Sequence, residues 1–291
     1  MTCIRAKKPP MVGRCSLGRL CRQVGISRQA HYQWLVREET TAVQRELILG
    51  KVREFRRYHG RMGGRKLYQR LCEEHADLMS GVGRDAFFLI LQGAGLLVRP
   101  TKRTVRTTHS QRWRRQYRNL IRGVEARYPG HILVTDITYL RAATGFVYLA
   151  LVTDLYSRKI IGYDVSSNLT LDGALRALRM ALGQLPRGIA TIHHSDNGVQ
   201  YYGAVYREEI EQRWNGTMSM TEDGNVYENA VAERVNGILK QEYDLYRTVA
   251  NKKVAERAVA EAIRLYNEER PHMSIGMATP AARFAGYREA A

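Results

Sequence analysis

The sequence predicts a mixed α/β module, five strands flanked by helices, over residues 131–291, preceded by all-α segments. Three observations predict it. Apolar, β-branched runs and helical periodicities follow the order three strands, helix, strand, helix, strand, closing helices. The charge is split: residues 1–130 hold 28 Lys and Arg against 9 Asp and Glu, an excess of 19, whereas residues 131–291 hold 18 against 19. The whole formal charge of +18 therefore belongs to the N-terminal part, which reads as a nucleic-acid-binding arm on a compact, near-neutral module. Finally, three carboxylates occupy distinctive settings in that module. Asp136 lies inside the apolar run HILVTDITYL, Asp196 follows a second apolar run and opens HSDNGVQYY, and Glu233 lies on a helical pattern, YENAVAERVNGILKQEY.

Within residues 1–44, SLGRLCRQVGISRQAHYQWL has the outline of a helix-turn-helix. Leu17, Leu20, Cys21 and Val24 share a helical face, Gly25 allows the turn, Ile26 plugs the core and Ser27 caps the second helix. That helix should expose Arg28, Gln29 and Gln33, groove-reading side-chain types, and turn Ala30 and Trp34 inward. Residues 45–98 read as a second unit, two helices broken at GRMGG and a third ended by Gly93 and Gly95. Arg53, Arg56, Arg57, Arg61, Arg65 and Lys66 crowd it, with Arg65 and Lys66 as candidate DNA contacts. Residues 99–130 are a basic linker. Trp113, Arg114, Arg115 and Tyr117 interleave aromatic faces with guanidinium groups, a composition suited to a phosphate backbone.

In the module, strands are expected near 132–140, 146–153, 158–166, 190–195 and 217–220, and helices near 170–184, 203–214, 229–243 and 251–267. Val254, Ala258, Ala262 and Tyr266 recur every four residues, giving the last helix an apolar face. On the helix of Glu233, Val231, Val235 and Ile238 fall opposite the acid, while Gly237 and Lys240 share its side. Burying several like charges is costly unless something positive neutralises them. Clustered carboxylate oxygens suit magnesium or manganese. Asp136, Asp196 and Glu233 are thus candidate metal ligands, and Asp154 is a rival acid at a strand end, otherwise paired with Ser157 or Arg158.

HILVTDITYL, LVTDLYSRKIIGYDV, HHSDNGVQYY, MTEDGNVYENAVAERVNGILKQE and YNEERPHMSIGMATPAARF, in this order, resemble the DDE transposases of bacterial insertion sequences, specifically the second-frame products of elements with two overlapping reading frames. The resemblance implies a ribonuclease-H-like catalytic core similar to that of retroviral integrases. Asp136, Asp196 and Glu233 would then be the catalytic triad holding two magnesium or manganese ions. Between Asp196 and Glu233 lie 36 residues, one more than the family's usual 35, which a loop insertion absorbs. The resemblance also implies binding to the element's terminal inverted repeats, strand cleavage and strand transfer without a covalent protein–DNA intermediate, a homo-oligomeric synaptic complex, and an upstream-frame partner protein. Lys240 matches a DNA-contacting lysine; Gln200 and Gly198 lie where DNA would approach, and Asn229, one turn before Glu233, would orient the carboxylate or touch DNA.

No run of 18 apolar residues and no apolar leader at MTCIRAKKPP are present, so a cytoplasmic protein with no membrane partner is expected. Cys3, Cys15, Cys21 and Cys72 form no CxxC pair and read as reduced thiols. His193 and His194 read as hydrogen-bonding groups rather than ligands. Two other readings remain open from sequence: a nuclease of the same fold that does not transpose, and a DNA-binding regulator without chemistry.

Overall fold

The computed structural model describes residues 16–98, 117–222 and 229–287. Arg114, Arg115 and Trp113, together with Cys3, Cys15 and the middle of the MTEDGNVYENAV motif, lie outside the described residues.

The N-terminal part is helical: α1 (Leu17–Val24), α2 (Arg28–Tyr58), α3 (Gly64–Glu74), α4 (Ala76–Met79) and α5 (Arg84–Gly93). Gly25 closes α1 with φ +74°, and the Ser27 hydroxyl accepts from the Ala30 amide at 3.0 Å, the cap the sequence foresaw. Two expectations change here. The boundary placed at 44/45 falls inside α2, which runs unbroken for 31 residues. It holds no proline, and its single Gly50 costs only about 1 kcal/mol, too little to break a helix packed elsewhere. The inward residues also differ: Cys21 and His31 are buried, whereas Leu20, Val24 and Ala30 are exposed and Trp34 only stacks on the His31 ring. The helical unit's own core starts further along, at Ile48, Val52, Met62, Leu67, Leu71, Met79, Phe87 and Leu91.

The second part is built on a sheet of order β3-β2-β1-β4-β5. Its strands are β1 (Ile132–Ala142), β2 (Gly145–Asp154), β3 (Ile160–Ser166), β4 (Ile192–Ser195) and β5 (Thr217–Met220). The first three pair antiparallel, and β1, β4 and β5 pair parallel. This is the ribonuclease-H-like order expected. Helices α6 (Leu171–Leu182) and α7 (Ala204–Glu208) intervene, and α8 (Ala230–Glu242), α9 (Lys252–Glu268) and α10 (Pro280–Ala285) close the chain. Side chains of β2 alternate between two cores. Ala150 and Val152 pack with Ala174, Ala177 and Leu178 of α6, whereas Leu149 and Leu151 pack with Val235 and Ile238 of α8 and Val259 and Ala262 of α9. Burial on both faces explains why β2 reads as a nearly unbroken apolar run. On α9 the buried stripe is Ala255, Val259, Ala262, Ile263 and Tyr266, with Val254 exposed.

Residues 117–130 belong to this part rather than to a linker. The Leu120 amide donates to Ser219 Oγ at 2.9 Å, and Ile121 and Ala126 pack with Ile132, Val134 and Ala232. Tyr117 donates its hydroxyl to Glu211 at 2.9 Å and packs on the α6 core, so its ring is spent on the protein.

Candidate active site

Asp136 sits in the middle of β1, opposite Leu151 of β2. On its other side β1 pairs with β4 as Ile132 with Ile192, Leu133 with His193 and Val134 with His194. Two further residues of that register bring Asp136 beside Asp196, which follows the last residue of β4. The two acids therefore meet where the parallel pairing ends, at the carboxyl end of a strand, the usual crevice of an open α/β sheet.

Burial, reinforced by the neighbouring Asp196 charge, pushes the Asp136 carboxyl up to about 7. Burial raises Asp196 as well, opposed by the Gly198 amide, which donates to its Oδ1 at 3.0 Å. A Cβ on Gly198 would stand 2.9 Å from that same oxygen, so a side chain here would crowd the carboxylate. Asn236, which the sequence reading passed over, donates from Nδ2 to Asp136 Oδ2 at 2.6 Å, while its buried Oδ1 has no partner. Its position three residues after Glu233 was the available signal, since i and i+3 share a helix face. Asn229 is buried and donates to the Thr135 carbonyl at 3.1 Å, tying the start of α8 to the strand of Asp136. It positions the helix, with its side-chain amide directed at the sheet rather than displayed at the surface.

Glu233 lies exposed in the first turn of α8. Its charge contributes to raising Asp136, but among the described residues no three Asp, Glu, His or Cys side chains gather closely enough to hold a metal ion. Residues 223–228, which lead into α8, lie outside the described residues. The chain thus brings two of the three acids together, with the third exposed on α8 and near enough for its charge to act on Asp136. The donor set fits a hard dication: two like-charged carboxylates with raised proton affinity, an unpartnered amide oxygen and no sulfur or imidazole ligand.

The remaining expected site residues divide. Lys240 is half-buried: its ammonium donates to Thr138 Oγ1 at 2.5 Å and lies 4.8 Å from the Tyr139 ring centroid, so it is tethered to β1 two residues beyond Asp136. Gln200 is half-buried in the 3-10 turn Val199–Tyr202 after Asp196. Arg28, Gln29 and Gln33 are exposed along one groove of α2, and Arg65 is exposed on α3. Lys66 is a correction. Its ammonium is buried 3.5 Å from Glu242, which Arg270 also holds, and burial pushes it down to about 8. It joins the helical part to the core, so its charge is spent on Glu242 rather than presented to solvent as the sequence suggested. Asp154 is likewise structural, accepting from the Gly130 amide and from both the amide and hydroxyl of Ser157. His193 bonds Tyr206 and His194 bonds Ser219, each at the interior of the sheet. Cys21 and Cys72 are free thiols, and no helix of the described residues is long and apolar enough to cross a membrane.

The integrase core domain model matches residues 126–225, and a second model of that description matches residues 216–280. A 31 kDa protein of insertion element IS600 from Shigella sonnei is 30% identical over 280 residues, spanning 94% of this chain and all of that protein. The chain belongs to the insertion-sequence transposases with an integrase core. The transposase for element IS629 of Shigella sonnei is 29% identical over 274 residues, covering 91% of this transposase and 90% of its own length. The InsF transposase of IS3A from Escherichia coli K12 is 37% identical over 146 residues, half of each chain. Among solved structures, a simian T-cell lymphotropic virus intasome bound to a PP2A regulatory subunit aligns over 76% of this chain and 75% of its own, at 18% identity and a TM-score of 0.47.

One consequence concerns the metal-free protein. The folded-state value of about 7 for Asp136 lies above its ordinary 3.8. Its contribution to stability is therefore complete below about pH 4 and lost as pH rises through about 7. Manganese added at the acid pair should raise the melting temperature more at about pH 8 than at about pH 5.5. Equal gains at both values, or an undiminished gain in Asp136→Asn, would place the bound ion elsewhere.

Proposed function

We propose that this transposase cuts and joins DNA strands at one site made by Asp136, Asp196 and Glu233. The juxtaposition of Asp136 and Asp196, with Asp136 driven to a proton affinity near neutrality, carries this reading. Two magnesium or manganese ions, when bound, would activate the attacking oxygen and stabilise the leaving one. Asp136 and Asp196 would hold them on the sheet, and Glu233, exposed in the first turn of α8, would complete the site. Asn236 fixes the Asp136 carboxylate by holding one of its oxygens. The attacking group is water in cleavage and a DNA 3′-hydroxyl in strand transfer.

The DNA is double-stranded, the element's terminal repeats and the target. Gln200 and Lys240 lie beside its reactive end. Arg28, Gln29 and Gln33 on α2 read the repeat, Arg65 supplies a phosphate contact, and Arg114 and Arg115 continue the basic path outside the described residues. Val43 and Leu47, exposed apolar residues further along α2 than the groove of Arg28, Gln29 and Gln33, support a homo-oligomer in the synaptic complex. An upstream-frame protein is a second partner, and the reaction takes place in the cytoplasm.

Incubating the protein with duplexes ending in the terminal repeat, with magnesium or manganese, tests the reading. Nicked ends and joined products are expected, and both should vanish with a chelator. Cleavage without any joining would make the chain a nuclease; neither reaction, with binding intact, would make it a regulator.

Lys240→Ala should lower joining and cost on the order of 1 kcal/mol of stability, because it loses one hydrogen bond and a ring contact. Crosslinking from position 240 to the terminal nucleotides checks the DNA role. Absence of a crosslink together with wild-type joining would reduce Lys240 to a brace between α8 and β1.

A further inference from the structure

A cavity of about 770 Å³ lies beneath the turn between β2 and β3, walled by that turn, residues 123–126, the start of α8 and residues 274–283. Arg158 forms part of its wall in an unusual way. Its backbone is left-handed, φ +66°, a conformation unfavourable for a residue with a Cβ. Three contacts impose that conformation. The Arg158 amide donates to the Asp154 carbonyl at 2.8 Å, the Tyr266 hydroxyl donates to the Arg158 carbonyl at 2.9 Å, and the buried Asp154 carboxylate ties down Ser157 and Gly130. The guanidinium so placed uses Nε on Ser274 Oγ at 3.4 Å, while Nη1 is buried and has no partner. A buried guanidinium nitrogen left unbonded is costly, and the fold accepts that cost together with backbone strain. Arg283 lines the same cavity, its guanidinium 4.3 Å from the Tyr156 ring centroid. Among the described residues Glu125 is the one acid of the lining, against the two arginines.

We propose that this cavity binds a phosphate group, and that the phosphate belongs to the backbone of bound DNA, at a point separate from the acid pair. This rests on the DNA reading above. The paired planar donors of two arginines suit phosphate oxygens. The cavity is open and far larger than one phosphate, as a passing strand requires. Val231 in its wall is on α8, on the face turned away from Glu233. Asp154, where the turn begins, faces Leu133, three residues and roughly 10 Å along β1 from Asp136. A strand held here would meet the acids a few nucleotides away.

The test is duplex binding by the full chain without divalent metal, so that no strand is cut, at a series of salt concentrations. Each neutralised phosphate contributes about −0.9 to the slope of log K against log salt. Arg158→Gln and Arg283→Gln should each flatten the slope by about that amount and weaken binding several-fold, and Glu125→Gln should tighten it. Arg283 is exposed, so its variant folds as wild type even if Arg158→Gln does not. Inorganic phosphate in a thermal melt separates the sources. Stabilisation by phosphate that both arginine variants abolish, with the salt slope changed, supports the proposal. Phosphate stabilisation with unchanged slopes would assign the pocket to a free anion and overturn the DNA assignment, and unchanged slopes with no phosphate effect would remove the site altogether. A wild-type chain that binds no duplex would overturn the broader reading along with it.

Discussion

Asp136→Asn should abolish strand cleavage and joining while leaving the fold intact or slightly more stable at neutral pH. As a metal ligand the carboxylate would contribute several kcal/mol of transition-state stabilisation. A loss on the order of 4 kcal/mol is a fall of about a thousandfold. Stability should move the other way, because the acid is costly where it sits: burial and the Asp196 charge raise its proton affinity, so ionised Asp136 opposes folding at neutral pH. Asparagine keeps the shape and an oxygen for the Asn236 amide but removes the repulsion. Asp196→Asn should behave alike, keeping the bond from the Gly198 amide. Glu233→Gln should be equally inactive with unchanged stability, since Glu233 is exposed and unburdened by packing. Asp154→Asn provides the contrast. That carboxylate is buried under three donated hydrogen bonds, two from backbone amides and one from the Ser157 hydroxyl. It should lose stability, with any activity loss following from the fold. The measurements are joining assays and thermal melts on the same preparations. Near-wild-type joining by Asp136→Asn or Asp196→Asn would sink the assignment.

What could be read from the sequence follows from where burial is two-sided. Strands β1 to β3 carry long β-branched runs because both faces are covered, and these runs located the sheet and the acids interrupting it. The Ser27 cap and the αL Gly25 were legible because capping is a local chemistry of a few residues. Charge was the misleading signal. Lys66 sits in a basic run and reads as a DNA contact, yet it pairs with Glu242, 176 residues away, and nothing local announces that partner. Residues 117–130 failed for the same reason, because their hydrogen-bond partners lie on β5 and beyond. Length misled at α2, where the apolar residues at its start face outward and its core contacts begin only near Ile48. Asn236 shares the helix face of Glu233, but nothing in that spacing says that it holds Asp136 on β1.

The YNEERPH segment is more structural than its place in a transposase motif suggests, and Arg270 is its sharpest case. Only 1% of Arg270 is exposed, yet it is charged. It grips Glu242 at the end of α8 with two parallel bonds, Nε to Oε2 and Nη2 to Oε1, both 2.8 Å. Lys66 reaches the same carboxylate from α3, and nearby His59 of the helical part bonds Glu269 and Tyr243. Glu242 therefore joins the two halves of the molecule, with its carboxyl held below the ordinary range by Arg270 and Lys66 against the opposing effect of burial. Arg270→Ala would leave Glu242 buried with only the weakened Lys66 ammonium, and removing one partner of a buried pair costs about 3–5 kcal/mol. The loss should appear as a lowered denaturant midpoint and as faster amide exchange in α3 and at the end of α2, where the halves meet. Arg270→Lys should recover part of it, since a point charge cannot reproduce the two-pronged grip. Replacing Arg270 by Met, Glu242 by Leu and Lys66 by Met together should cost less than Arg270→Ala alone, because no unpaired charge of this cluster remains buried. A single Arg270→Ala variant within about 1 kcal/mol of wild type would show that water reaches Glu242 and that the two halves are held by their apolar contacts instead.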